Sequence, residues 1–385
     1  MRSRLLLFVL LLPIAAGAQT YRESTLVSFS SFNDGPVLPS GGLIIDMTGH
    51  LYGSSQGGAH NLGAIFRVTP EGMVSVLHSF NGNDGSYPEV NPIRDQAGNL
   101  YGTTSQGGAD ADCSCGTVFK LTSAGEFTSL HSFTGGYAYP GALTLDAAGN
   151  LYGFEYATNT NGSIFKITRE GTFSVVYDFC SLSSCADGSA PIGSLILNKA
   201  GNLYGTTNRG GQFNQGTVFE LTPEYVETVL YSFTGGQDGA NPIGKLTQDA
   251  AGNMYGVTYA GGSTSAAYGT VFKITPAGVE SVLYNFCQSE SCMDGARPLG
   301  SVVLDSFGDL YGTTILGGTH DAGVVFKVTP TGIESVQQDL TISADGGNGA
   351  VLDRAGDVYV EIYSGGKTGQ GSVVKLAKRG DSPVR

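Results

Sequence analysis

The chain has 385 residues and an acidic balance, with 33 Asp and Glu against 20 Lys and Arg and a net charge of −13. Such a surface repels phosphate backbones, and no cluster of Lys or Arg offsets it, so nucleic acid is a poor candidate partner. Only 14% of the residues are charged and 59 are glycine. Because these glycines recur at fixed places, they indicate turns and not a low-complexity chain.

The first twenty residues predict export. Arg2 and Arg4 give a basic start, residues 5–16 form an apolar run too short to span a bilayer, and small residues follow up to Ala18. No later stretch approaches a membrane span and no anchor is recognisable, so we expect a secreted or periplasmic protein. The expected divisions are a signal peptide over 1–18, a single domain over 19–379 and a short tail over 380–385.

A phrase of the type Asn-Leu-Tyr-Gly recurs about every fifty residues. Each unit holds four short runs of strand composition separated by Gly, Asp, Asn or Pro, and none shows helical periodicity. Four antiparallel strands per unit at this period predict an all-β fold, a seven-bladed β-propeller. We name the strands of each blade a to d, from the channel outward. The seven units are centred on Tyr52, Tyr101, Tyr152, Tyr204, Tyr255, Tyr311 and Tyr359.

The two ends of the domain are predicted to share the seventh blade. The last unit stops after its third run, residues 372–376, whereas residues 23–29 match the fourth run of other units, such as 280–286. The N-terminal strand should therefore complete the C-terminal blade. Such closure removes an open sheet edge and fixes a terminus that would otherwise fray.

The repeated tyrosine is expected to pack its ring between blades and to donate its hydroxyl to a backbone acceptor. It supplies the bulk that Trp gives other propellers, since this chain has no Trp. The glycine-rich residues 102–108 that follow one copy lack the Lys-Ser/Thr ending of a phosphate loop and recur in several units. They are predicted to be architecture.

The full repeat reads D-x-x-G-N-L-Y-G-T-T-x-x-G-G, then G-T-V-F-K-L-T-P-x-G, then E-x-V-L-Y-S-F-x-G-x-D-G-x-x-P, almost complete over 249–276 and 280–298. This wording resembles the GloVer-type tandem-repeat family of secreted bacterial proteins, and the resemblance covers nearly all of the domain. It implies a repeat fold and no particular activity, because the family is defined by its repeat and by varied surface anchors. A more distant similarity to streptogramin-lyase and gluconolactonase propellers transfers no catalytic residue.

Six cysteines predict disulfides, since an even count at matched spacing in an exported protein favours bridges. Two pairs of cysteines occupy the same sequence motif just after strand d, and the remaining two cysteines are predicted to pair with each other. A metal site formed by cysteines is the alternative. The expected bridges are Cys180–Cys185, Cys287–Cys292 and Cys113–Cys115.

Asp-Gly pairs recur in the loops from strand d to the next strand a, which share one face with the b–c loops. Their carboxylates could ring the channel mouth and hold Ca²⁺ or sugar hydroxyls. We favour the alternative that Asp and Gly form the turn, with Asp accepting local N–H bonds. No other cofactor is predicted. The candidate acids are Asp34, Asp84, Asp187, Asp238, Asp294 and Asp345.

Binding residues are better sought where the copies disagree. Arg94 and Gln248 replace an apolar residue at the end of strand a, and Lys245 adds a charge three places before Gln248. If strand a lines the channel, these three are candidate ligand contacts. The alternative is that a wide channel tolerates polar side chains in water.

No catalytic constellation is recognisable. His60 and His320 are the histidines of the b–c loops, and they belong to units that are not neighbours. No Ser/His/Asp order, HExxH motif or EF-hand wording appears. We therefore predict a non-enzymatic secreted scaffold that binds a carbohydrate, a cell-surface polymer or a protein. The alternatives are a metal-assisted lyase or lactonase with its site in the channel mouth, and a purely structural surface protein.

Overall fold

A computed structural model describes residues 21–30, 35–109, 115–134, 138–157, 160–262, 267–340, 349–364 and 366–378. In these residues the strands form seven antiparallel sheets that follow one another along the chain. The predicted seven-bladed all-β propeller, with four strands per blade, is confirmed. Strand a of blade 3 is recorded as two short pieces, β10 and β11, and both pair with the same strand b.

The strand bounds follow the chain. Blade 1 holds β2 (Pro39–Ile45), β3 (Leu51–Ser55), β4 (Ala64–Val68) and β5 (Val74–Ser79), and blade 2 holds β6 (Ile93–Arg94), β7 (Leu100–Thr104), β8 (Thr117–Leu121) and β9 (Phe127–Ser132). Blade 3 holds β10 (Ala138–Pro140), β11 (Thr144–Leu145), β12 (Leu151–Ala157), β13 (Ser163–Ile167) and β14 (Phe173–Asp178). Blade 4 holds β15 (Ser189–Leu197), β16 (Leu203–Arg209), β17 (Thr217–Leu221) and β18 (Glu227–Ser232). Blade 5 holds β19 (Ala240–Gln248), β20 (Met254–Ala260), β21 (Thr270–Ile274) and β22 (Glu280–Asn285). Blade 6 holds β23 (Ala296–Leu304), β24 (Leu310–Leu316), β25 (Val324–Val328) and β26 (Glu334–Asp339). Blade 7 holds β27 (Ala350–Leu352), β28 (Val358–Ile362), β29 (Ser372–Lys378) and the N-terminal β1 (Tyr21–Ser28).

The ring closes as predicted. Strand β1 pairs antiparallel with β29, from Tyr21 opposite Lys378 to Ser28 opposite Ser372. The N-terminal strand is thus the outermost strand of the C-terminal blade, which leaves β29 with a partner on both sides.

The blades pack through phenylalanines contributed by neighbouring sheets. The Phe that follows strand d of one blade meets a strand c Phe of the next blade edge to face, an arrangement that adds to simple burial. The ring centroids are 4.9–5.6 Å apart. The pairs are Phe29–Phe66, Phe80–Phe119, Phe133–Phe165, Phe179–Phe219, Phe233–Phe272 and Phe286–Phe326.

The repeated tyrosine does not donate to the backbone, so that expectation is wrong. In six blades its hydroxyl donates to the aspartate that opens the a–b turn six residues earlier, with oxygen–oxygen distances of 3.0–3.5 Å. The strand carbonyls are already used in the sheet ladder, whereas the tight turn brings this carboxylate alongside the ring. In blade 4 the turn residue is Asn198, and Tyr204 donates instead to Glu220 of strand c at 2.6 Å.

Two of the predicted disulfides are confirmed, Cys180–Cys185 and Cys287–Cys292. Each spans a short 3₁₀ turn, Ser183–Cys185 or Glu290–Cys292, that follows strand d. Cys115 is buried and disulfide-bonded. Its expected partner, Cys113, lies outside the described residues, so that pairing stays a prediction.

The middle of strand a leaves its own sheet and approaches the next blade. In blade 4 the pairing with strand b is interrupted between Ile192 and Ile196. A Cβ atom at Gly193 would lie 2.4 Å from the carbonyl carbon of Gly244, and one at Gly244 would lie 2.1 Å from the oxygen of Gly300. Only glycine permits backbones to come this close. We call this constriction of the channel the glycine collar, and it consists of Gly41, Gly141, Gly193, Gly244 and Gly300.

Candidate functional site

A cavity of about 490 Å³ lies above the glycine collar, on the face of the d–a and b–c loops. Blades 2 to 6 all contribute to it through the beginning of strand a or the end of strand b. We call this cavity the channel mouth. Its volume is within the range of small-molecule sites, which are mostly apolar with a few placed polar groups.

The wall of the channel mouth is largely apolar. Pro140, Pro191, Ile192, Ile243 and Leu299 come from the first half of strand a in four successive blades. These residues lie just above the glycines of the collar, where the strands of neighbouring blades come close together. The mouth therefore has a rigid wall and a floor made of glycine.

The polar groups of the mouth come from different blades. Glu89 precedes strand a of blade 2, Tyr156 ends strand b of blade 3, and Asn208 and Arg209 end strand b of blade 4. Burial raises the pKa of Glu89, although solvent in the mouth reaches its side chain. Arg209 is exposed and takes part in none of the ion pairs among the described residues.

The rim beside the mouth is held by contacts between adjacent blades. The Arg297 guanidinium lies 5.3 Å from the centre of the Tyr259 ring and donates to its hydroxyl at 3.1 Å. Asn241 donates its side-chain amide to the backbone oxygen of Asn208 at 3.0 Å. These contacts fix the strand b ends that carry the polar groups.

The predicted loop acids bind their own loops and the outer strands. Asp187 is fully buried and accepts the backbone N–H groups of Ser181 and Leu182 and the hydroxyl of Tyr177. Asp294 has the equivalent contacts, and hydrogen bonding holds its pKa below the usual range despite burial. Asp84 accepts the backbone N–H of Asn81, three residues earlier, and Asp238 accepts that of Thr234, four residues earlier. None of these four lines the channel mouth, and Asp34 and Asp345 lie outside the described residues.

The three predicted strand a contacts do not converge. Lys245 and Gln248 line a cavity on the other side of the collar, towards the a–b turns. Arg94 turns to blade 1, where it lies over the Tyr52 ring at 5.5 Å and 3.9 Å from the Asp46 carboxylate. Their role as ligand contacts stays a prediction.

No group of three or more His, Cys, Asp or Glu suited to a metal ion occurs among the residues that the structure describes. His78 and His131 lie in strand d, where burial lowers the pKa of each ring and each stacks on a phenylalanine of the next blade. His320 lies beside the Cys287–Cys292 loop. Calcium binding remains an untested suggestion of the sequence.

Sequence reasoning missed the residues of the channel mouth, although a signal exists. The residue three places after the Leu-Tyr-Gly phrase differs in every neighbouring pair of blades, whereas the phrase itself repeats. Comparing the copies at that place would have identified Tyr156 and Asn208. The seven residues are Gln56, Ser105, Tyr156, Asn208, Tyr259, Ile315 and Tyr363.

The fold and this cavity define a seven-bladed propeller with a ligand-sized channel mouth. The family model described as the Gloeobacter/Verrucomicrobia repeat matches residues 14–186 and 158–374. The chain belongs to the Gloeobacter/Verrucomicrobia repeat family, as the repeat wording predicts. No curated protein is detectably similar to the chain in sequence.

Solved structures are similar to the chain at low sequence identity, and one of them supports the fold. The extracellular domain of an inferred one-component system from B. thetaiotaomicron is 12% identical with a TM-score of 0.56, over 94% of this chain and 40% of that one. A gluconolactonase from Xanthomonas campestris is 11% identical with a TM-score of 0.46, over 93% and 90%. A calcium-binding regucalcin from Agrobacterium tumefaciens is 12% identical with a TM-score of 0.46, over 94% and 95%. We take the propeller fold from the first of these and no activity from any of them.

Proposed function

We propose that this protein is an exported, non-enzymatic propeller that binds a carbohydrate in its channel mouth. The observation that carries the proposal is the cavity of about 490 Å³ to which five blades contribute. Loops and strand ends on a rigid scaffold are where binding residues concentrate in such folds. The glycine collar narrows the channel below the cavity, so we expect a ligand to enter and leave on the d–a and b–c face.

The lining suits a sugar ring. Tyr156 offers a flat apolar surface for the C–H face of a pyranose, and the half-buried Ile192, Ile243 and Leu299 add aliphatic surface. The Glu89 carboxylate can accept hydrogen bonds from sugar hydroxyls, the Arg209 guanidinium can donate them, and the Asn208 amide can do both. Glu89 belongs to blade 2, whereas Asn208 and Arg209 belong to blade 4, so the acid and this pair would contact different hydroxyls and distinguish one sugar from another.

Two further features support an exported binding protein. The disulfides Cys180–Cys185 and Cys287–Cys292 belong to an oxidising compartment. Within the part of the chain that is described, no helix has the length and hydrophobicity needed to cross a bilayer. Exported carbohydrates and cell-surface polymers would be within reach of such a protein.

A glycan array followed by calorimetric titration tests the proposal. The wild-type protein should bind at least one glycan class, and Tyr156→Ala and Glu89→Gln should each weaken that binding by about tenfold or more, the effect of losing roughly 1.4 kcal/mol. Lys199→Ala changes an exposed turn on the opposite face and is the matched control, expected to bind as wild type does.

Two kinds of result would reject the proposal, absent or misplaced binding and catalytic turnover. One is an array without binding, or binding that Tyr156→Ala leaves unchanged. The other is turnover of a lactone or a polysaccharide that disappears on chelation, which would establish the metal-assisted lactonase or lyase alternative instead.

A further inference from the structure

A second cavity, of about 450 Å³, lies below the glycine collar on the side of the a–b turns. It is lined by the second half of strand a from blades 2 to 5. Its accessible aliphatic wall comes from the half-buried Ile93, Leu145 and Leu197, whereas Leu143 and Leu195 are buried in the cores between blades. We call it the lower channel.

One cation stands at the upper end of the lower channel. Lys245 lines this cavity and also the narrow waist of about 80 Å³ at the level of the collar. Water in the channel reaches its side chain, but protein surrounds it, and this burial lowers the pKa of the ammonium. No negative charge acts in the opposite direction.

Lys245 takes part in none of the ion pairs among the described residues. Two other lysines are paired, Lys327 with Asp309 at 2.5 Å and Lys375 with Asp357 at 2.7 Å. Because Lys245 is exposed to the water of the channel, its ammonium is available to an anion that enters the channel.

Neutral donors line the waist together with Lys245. Asn91, Ser194 and Ser301 line the same waist, each from the strand a region of a different blade. The Ser301 hydroxyl oxygen accepts the backbone N–H of Lys245 at 3.0 Å, so its own proton is directed elsewhere. An anion next to Lys245 would therefore meet hydroxyl and amide donors as well as the positive charge.

We propose that the lower channel binds a monocarboxylate with an apolar body, its carboxylate on Lys245 and its hydrocarbon part against the leucines below. A single cation matches one negative charge and not the two of a phosphate. The aliphatic wall favours a hydrocarbon over a hydrated sugar acid. The glycine collar separates this site from the channel mouth, so this inference does not depend on the carbohydrate proposal.

Titration with butanoate, hexanoate, octanoate and octan-1-ol tests the site in the wild-type protein by calorimetry. Affinity should rise from butanoate to octanoate. Octan-1-ol, which has the same chain without the charge, should bind more weakly than octanoate by a factor of about ten at least. Octanoate that does not bind, or that binds no better than octan-1-ol, would overturn the proposal without any variant being needed.

Lys245→Met keeps the length of the side chain and removes the charge. It should reduce the affinity for octanoate to that for octan-1-ol, while Lys199→Met, an exposed turn residue, should leave it unchanged. Without ligand, Lys245→Met should unfold at the same temperature as wild type, because Lys245 is exposed and takes part in none of the ion pairs among the described residues. Octanoate affinity that survives in Lys245→Met would contradict the assignment.

Discussion

Leu340 of blade 6 and Val374 of blade 7 belong to one buried cluster at the place where the other blade interfaces hold a pair of phenylalanines. The smaller pair leaves a crevice of about 300 Å³ between these two blades. Leu340, Val374 and Val360 line it together with polar residues of the closing strand such as Thr25. The interface between blades 6 and 7 is therefore incompletely filled.

Filling this crevice should stabilise the protein. Leu340→Phe restores one ring of the missing pair, and we expect the free energy of unfolding to rise by about 1 kcal/mol, as for other cavity-filling changes. Phe233→Leu, which removes a ring from the Phe233–Phe272 pair, is the reverse change and should cost about 1 kcal/mol or more. Urea unfolding midpoints at constant slope measure both. A lower midpoint for Leu340→Phe would mean that the crevice cannot accept the ring.

Three glutamates at the start of strand d should make stability depend on pH. Glu227, Glu280 and Glu334 each have a pKa raised to about 7, first by burial and then by the charge of an aspartate in the preceding d–a loop. One carboxylate oxygen of each is buried without a hydrogen-bond partner. The aspartates accept the hydroxyls of Tyr177, Tyr231 and Tyr284 at 2.8–3.0 Å.

The raised pKa sets the sign of this dependence. The folded protein keeps these protons to about pH 7, whereas the unfolded chain releases them near the ordinary value of 4.5. Their contribution is thus complete below pH 4.5 and is lost as the pH rises to 7 and above. Replacing all three by Gln should flatten the fall in melting temperature between pH 5 and 8, while the exposed Glu224→Gln should not. An unchanged slope in the triple variant would show that the three groups titrate normally.

The two observed disulfides are local braces. Each links residues five apart, and closing so short a loop in the unfolded chain is worth about 2 kcal/mol in the chain-entropy account. Cys180→Ser with Cys185→Ser, and the same change at Cys287 and Cys292, should each lower stability by about 2 kcal/mol or less and leave the far-ultraviolet circular dichroism unchanged. Loss of the β spectrum in either double variant would mean that the bridges are needed to form the fold.

The fold was accessible from the sequence because every blade repeats the same local solution. Turn glycines, the Leu-Tyr-Gly motif of strand b and an interface phenylalanine recur about every fifty residues. Seven similar copies therefore indicate the same fold for each unit. Ring closure was accessible for the same reason, since residues 23–29 carry the wording of a strand d. The Tyr–Asp hydrogen bond also involves two residues of the repeat that are six positions apart, although the sequence alone predicts a backbone acceptor for the tyrosine.

The channel mouth and the lower channel could not be predicted from the repeated motifs. Each cavity is built by single residues from four or five blades, such as Glu89 and Asn208 or Ile93 and Lys245. Their proximity depends on how far the glycine collar draws the strands together, which no local pattern states. The sequence did select Lys245 as an exception in strand a, yet its isolation from carboxylates is visible only in three dimensions.

Hydrogen–deuterium exchange with and without the strongest glycan from the array tests the central proposal most directly. We expect slower exchange in the segments that form the channel mouth, around residues 87–91, 154–157 and 206–210, with the a–b turns unaffected. Protection on the a–b side, or at the outer strands d alone, would contradict carbohydrate binding in the mouth.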